Sequence, residues 1–410
     1  MKTVFESHAQ PDDLTTLPAF IQKWHANYPL MGNPPNALFS IRDDLIIYLI
    51  GAIRDIPCTP PMCGPEEWDD FIKIIGSHLI IPFIASHILS WHKEFQPPEK
   101  TLSVFKNALF AGTARNIFMG DQIRQILLKF QEAGIPVLLV KGPALGRTIY
   151  PDLAMRQSTD IDLLIRPDDF LHCEKVMGTL GYSSTALTYH ISRYAFHHQA
   201  FLPEKIGVMV EIHWMADFGF GYFPENWLDN SLKRKIHVQS KDLIFDTLHP
   251  EDHLQFLVFH NVILHNHRRL DWIVDISRLI RDFTINDDWK SLERSSVTHH
   301  TRIPVEIALK EAILWSGNTL PSKFSDFSTW PSPSEWEERM WKYAAIQETS
   351  FLAVFHLRLK RLPGFVEKLK YCGRFILPPS HLMIEYRRSE SSWDPYLAHI
   401  RRWWSFIDYL

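Results

Sequence analysis

Residues 135–166 read IPVLLVKGPALGRTIYPDLAMRQSTDIDLLIR, from Ile135 to Arg166. Two short runs rich in β-branched residues and leucine, Ile135–Val140 and Asp160–Ile165, predict two strands, and a Lys-Gly-Pro turn follows the first. Asp160 and Asp162 stand two apart, and in a strand such residues point to the same face. Like charges held together cost free energy unless a cation neutralises them. The apolar neighbours Ile161, Leu163, Leu164 and Ile165 mark this as a buried strand, where unpaired carboxylates are expensive. The pair therefore reads as a metal site.

Upstream, residues 1–110 read as helices broken by prolines. Leu45, Ile46, Leu49, Ile50 and Ile53 keep helical spacing, as do Phe71, Ile74, Ile75, Leu79 and Ile80. A longer helix is predicted over Val104–Ala133, closed by a left-handed cap at Gly134. Gly142-Pro143 opens a helix reaching about Tyr150, and another starts at Pro167-Asp168-Asp169, runs to Leu180 and stops at Gly181.

Further strands are predicted over Ala195–Leu202 and Val208–His213, joined by a hairpin turn. Val208, Val210 and Ile212 then face one way, and Met209, Glu211 and His213 the other. Beyond about residue 245 the pattern returns to helices, over Leu254–Leu264, Leu270–Asp282, Val305–Leu314 and Trp336–Leu362. The expected class is α+β: a helical region over 1–110, a mixed α/β core over 111–245 and a helical domain over 246–410. The arginines and tryptophans of the last segment, Arg401, Arg402, Trp403 and Trp404 among them, suit a docking helix with its aromatic face packed.

Composition limits the partners. Lys and Arg number 43 against 47 Asp and Glu, a net charge of −4, so no global field recruits nucleic acid. Cys58, Cys63, Cys173 and Cys372 are too few for a disulfide framework in 410 residues, which fits a reducing cytoplasmic setting. The runs Leu45–Ile53 and His78–Trp91 fall short of the roughly 20 residues a membrane span needs, and the first residues lack the apolar core of a signal peptide.

The segment from Lys141 to Thr148 invites comparison with a Walker A loop. Only three residues separate Gly142 from Gly146, and Arg147 replaces the lysine, so that reading fails. A glycine at a helix start after a strand remains, where free amides and the helix dipole favour an anion, with Lys141 beside it. Glu211 adds a third acid from another apolar strand. Such oxygen ligands suit Mg2+, which leaves positions to water and substrate phosphates. His260 and His265 are five apart and do not stack as an i,i+4 pair of zinc ligands.

Together these pieces resemble the uncharacterised nucleotidyltransferase family of the polymerase-β-like superfamily. The matching segments are Leu139-Val140-Lys141-Gly142, Tyr150-Pro151-Asp152, Arg156, Asp160-Ile161-Asp162-Leu163-Leu164, Gly181-Tyr182 and Glu211-Ile212-His213-Trp214. A later match runs from the His260 to His265 region into Leu270-Asp271-Trp272-Ile273-Val274-Asp275-Ile276, and the resemblance spans about residues 65–400. Two departures stand out. Lys141-Gly142 replaces the Gly-Ser pair of the wider superfamily, and the third acid is glutamate where relatives often have aspartate.

The resemblance implies an enzyme that moves a nucleoside monophosphate from a nucleoside triphosphate, such as ATP, to a hydroxyl of a small molecule, peptide or protein. It implies Asp160, Asp162 and Glu211 as catalytic ligands of two Mg2+ ions. Lys141, Gly142 and Arg156 would bind the nucleotide phosphates, and His213, His260 and His265 would support the site or meet the substrate. The alternative is a scaffold of the same fold that binds or regulates without turnover.

Overall fold

Five strands, β1 (Val137–Val140), β2 (Ile161–Ile165), β3 (Tyr182–Ser184), β4 (His198–Pro203) and β5 (Val210–His213), form one mixed sheet in the order β1-β2-β5-β4-β3. The central pair β2–β5 is parallel, and every other pairing is antiparallel. A separate hairpin joins β6 (Ile236–Gln239) to β7 (Ile244–Thr247). The structure is a computed structural model that describes residues 38–345 except 185–196, 217–221, 225, 266–268 and 284–287, together with 14–16, 18–19, 359, 365, 368–369 and 372. The fold is α+β.

Alternation along the strands sorts side chains between two apolar layers. Ile161, Leu163 and Ile165 of β2 and Val210 and Ile212 of β5 enter one layer, and Leu164 of β2 enters the other with Leu138 and Val140 of β1. Asp162, Glu211 and His213 occupy the alternate positions of their strands, on the face of Leu164.

Helices α1 (Asp43–Arg54), α2 (Pro65–Ser77) and α3 (Ile81–Ile88) lead in, and the 34-residue α4 (Glu99–Glu132) follows. Met119, Ile123, Ile126 and Phe130 recur every three or four positions along α4 and pack on the first layer of the sheet. Gly134 ends this helix with φ +68°, as the expected left-handed cap requires. Helices α5 (Lys141–Thr148), α6 (Phe170–Thr179) and α7 (Trp227–Lys233) complete the central region. The chain then runs through α8 (Pro250–Val258), a π-helical turn over Phe259–Leu264, α9 (Leu270–Leu279), α10 (Lys290–Thr298), α11 (Arg302–Ser316) and α12 (Glu335–Ala345).

The helices before and after the sheet share one apolar cluster. Leu49, Phe71 and Ile84 from the lead-in sit in it with Val274, Leu309 and Trp315 from the later helices. Among the described residues, no helix is long and apolar enough to cross a membrane. The expected docking helix of the C-terminal segment, residues 395–410, lies outside the described residues, as does most of the expected Trp336–Leu362 helix beyond Ala345.

Candidate active site

Strand register brings the acids together. Asp162 on β2 lies directly beside Glu211 on β5, and Val140, the last residue of β1, lies opposite Asp162 from the other side. The next residue, Lys141, begins α5 with φ +51°, a left-handed conformation that side-chain-bearing residues seldom adopt. Its backbone N–H donates to Nε2 of the buried His253 on α8 at 3.0 Å, which anchors this unusual turn.

The turn sends the Lys141 side chain back over the sheet. Its Nζ lies 2.8 Å from Asp162 Oδ1 and 4.0 Å from Glu211 Oε2. His213 Nε2 lies 2.8 Å from the same Asp162 oxygen and 3.5 Å from Glu211 Oε2. Burial alone would raise the Asp162 carboxyl, but the Lys141 ammonium and the His213 imidazole outweigh it and hold Asp162 well below the usual carboxylate range. Glu211 is also lowered, with the His213 contact and Lys141 prevailing over burial and the charge of Asp162.

Asp160 sits one residue before β2 starts. Burial, then the neighbouring charges of Asp162 and Glu211, push its carboxyl up to about 6. It senses both acids electrostatically, but the tight group of ligand atoms within 4.8 Å of one another comprises Asp162, Glu211 and His213.

Gly142 occupies a crowded point. A Cβ there would meet Ser158 Oγ at 2.4 Å, on the loop that leads into Asp160. Gly142→Ala is expected to cost about 1–3 kcal/mol through overpacking. Urea unfolding of Gly142→Ala alone and with Ser158→Ala checks this, because the double substitution removes the closest clash and should recover most of the loss.

Arg156 is buried and committed to α9. Its Nε and Nη2 donate to both oxygens of Asp275 at 2.8–3.0 Å, and Nη2 also lies 3.1 Å from Asp271 Oδ2. Tyr150 donates its hydroxyl to Asp275 at 2.7 Å. This network fastens the segment before β2 to the later helices. Arg147, from the segment compared with a phosphate loop, instead bonds Asp242 in the β6–β7 connection at 2.7 Å.

His260, on the π-helical turn, and His265 just after it pack edge to face at 4.4 Å between ring centroids, and both contact Trp272. Burial first, then the charges of Lys141 and His265, keeps His260 well below its ordinary value. His253, which sequence reasoning did not single out, is lowered to about 3 by burial against the opposing charge of Asp162. Its only signal in the sequence was its place immediately before the helix expected over Leu254–Leu264, seven residues before His260.

A family model described as uncharacterised nucleotidyltransferase matches residues 64–316, more than half of the chain. The chain belongs to this nucleotidyltransferase family. No curated protein matches it. The family match takes in the whole sheet, the Lys141-Gly142 turn and the Arg156–Asp275 network, so the site and the helices that brace it fall within the family's extent.

Proposed function

We propose that the chain is a Mg2+-dependent nucleotidyltransferase, moving a nucleoside monophosphate from a triphosphate to an acceptor hydroxyl. The observation that carries this reading is the side-by-side placement of Asp162 and Glu211 on adjacent parallel strands, directly behind the start of α5. The donor set suits the ion: the buried Asp162, with the half-buried Glu211 and Asp160 next to it, offers hard oxygen ligands. Bound there, Mg2+ would neutralise phosphate charge and lower the pKa of the attacking hydroxyl.

Asp160, Asp162 and Glu211 are the proposed ligands. Glu211, less buried than Asp162, is the proposed acceptor of the hydroxyl proton. The amides of the first turn of α5 beyond Lys141, whose own N–H donates to His253, and the Lys141 ammonium would hold the phosphates. His213 would orient Asp162 through its 2.8 Å contact. In this reading Arg156 positions the strand by binding Asp271 and Asp275, and the aromatic group His260, His265 and Trp272 borders the substrate side.

One observation favours a non-catalytic scaffold: the Lys141 ammonium already neutralises Asp162. Pyrophosphate release with Mg2+ and a nucleophilic acceptor separates the readings. Magnesium-dependent release that fails in Asp162→Asn supports turnover. Release at the same rate in both proteins contradicts it.

A pH dependence follows from Asp160. Its carboxyl, raised to about 6, must lose its proton to bind a cation, whereas Asp162 and Glu211 are lowered and stay ionised above pH 5. Mn2+ affinity is therefore expected to fall about tenfold per pH unit below 6. Asp160→Asn should bind more weakly but with a flat profile between pH 6 and 5. Calorimetric titration with Mn2+ at stepped pH measures both slopes.

A further inference from the structure

We propose that His197, His198 and His213 form a second metal site, for a first-row transition-metal ion such as Zn2+ or Co2+, beside the carboxylate pair. Each imidazole offers one ring nitrogen, and the three lie within 4.8 Å of one another. The register of the sheet builds the cluster. His198 on β4 stands directly opposite His213 on β5, and the His197 carbonyl accepts the N–H of Trp214 at 3.0 Å. Ring centroids are 4.2 Å apart for His197 and His198, 5.0 Å for His198 and His213 and 5.4 Å for His197 and His213. His198 Nδ1 is already 2.9 Å from His197 Nε2.

A second observation points to an ion. His213 turns Nε2 to Asp162, and its other nitrogen, Nδ1, is buried with no hydrogen-bond partner among the described residues. When Nε2 carries the proton toward the carboxylate, Nδ1 holds an unused lone pair, as in the carboxylate–histidine–metal arrangements that orient metal-binding imidazoles. His198 repeats the pattern more loosely, with Nε2 3.7 Å from Glu211 Oε1. The two acids thus stand behind two of the three imidazoles.

Imidazole nitrogens select Zn2+, Co2+, Ni2+ or Cu2+ over Mg2+, which prefers oxygen. Zinc–nitrogen bonds of about 2.0–2.1 Å would draw the rings inward, and three protein ligands leave a fourth position for water or substrate. The site stands on the imidazole geometry and holds whether or not the chain turns over a triphosphate.

The test uses the full chain, stripped with chelator and titrated with Co2+ in a large excess of Mg2+, while visible absorption and bound metal are recorded. The expected result is one Co2+ per chain with a nitrogen-ligated visible band that Mg2+ does not remove. His197→Asn and His198→Ala should each weaken binding at least about tenfold, while His237→Asn, on the exposed end of the β6–β7 hairpin, leaves it unchanged. Circular dichroism verifies folding. If His197→Asn fails to fold, the half-buried His198→Ala decides the matter alone. Cobalt that Mg2+ displaces, or equal affinity in His198→Ala and the unaltered chain, overturns the proposal.

Discussion

Asp162→Asn is expected to reduce nucleotidyl transfer by more than about 100-fold, since even groups that only support a metal's ligands are worth 10–100-fold. The substitution keeps the volume of the side chain and removes its charge. Asp162 is 3 % exposed and is the shared partner of Lys141 and His213, each at 2.8 Å. Without it, the Lys141 ammonium is left with Glu211 at 4.0 Å as its nearest carboxylate among these residues. Breaking one side of a buried ion pair costs about 3–5 kcal/mol, so stability should fall together with activity.

A second substitution separates the two losses. Lys141→Met in the Asp162→Asn chain removes the stranded charge and should restore a large part of the stability, while transfer stays absent. Chemical unfolding and a labelled-product assay on the single and double variants read the two effects separately. Recovery of transfer by the double variant would deny Asp162 its proposed role.

Arg156→Met is expected to cost about 3–5 kcal/mol of stability. The guanidinium is the shared partner of Asp271 and Asp275 between the loop before β2 and α9, and all three groups are buried. Burial raises the Asp275 carboxyl even in the intact network, with Arg156 pulling the other way. Removing the arginine raises it further. An acid whose folded pKa exceeds its unfolded value destabilises the fold as pH rises through that interval, so the variant should lie closest to the unaltered chain at acidic pH. Arg156→Lys should recover little, because one ammonium does not reproduce the forked contacts to both Asp275 oxygens. Denaturant unfolding across pH tests both statements.

Much of this arrangement was legible where local patterning fixes it. The apolar run of β2 and the alternation of Val210, Glu211, Ile212 and His213 gave the strands and the face that carries the polar groups. Gly134 and Gly181 closed their helices at φ +68° and +77°, as their positions required. Boundaries shifted by a few residues: α4 starts at Glu99 instead of Val104, and Asp160 falls just outside its strand.

Local patterning did not reveal long-range partners, and only the resemblance joined Glu211 to Asp160 and Asp162. The parallel pairing that sets Glu211 beside Asp162 joins segments 49 positions apart, with α6, β3 and β4 between them. The resemblance implied Arg156 as a phosphate contact, and nothing near it in the sequence reveals that Asp275 meets its guanidinium 119 residues later. The β6–β7 hairpin escaped for a different reason. Its strands have four residues each, too few to establish a period, and Ile236–Gln239 alternates only half-buried with exposed positions.

The most direct test of the central claim follows the phosphorus. The full chain is incubated with Mg2+, cell extract and triphosphates labelled at either the α or the γ position, beside Asp162→Asn. The expected result is an acceptor labelled from the α position, with pyrophosphate released and neither product formed by Asp162→Asn. Label arriving only from the γ position, or α-label transferred equally by Asp162→Asn, would contradict it.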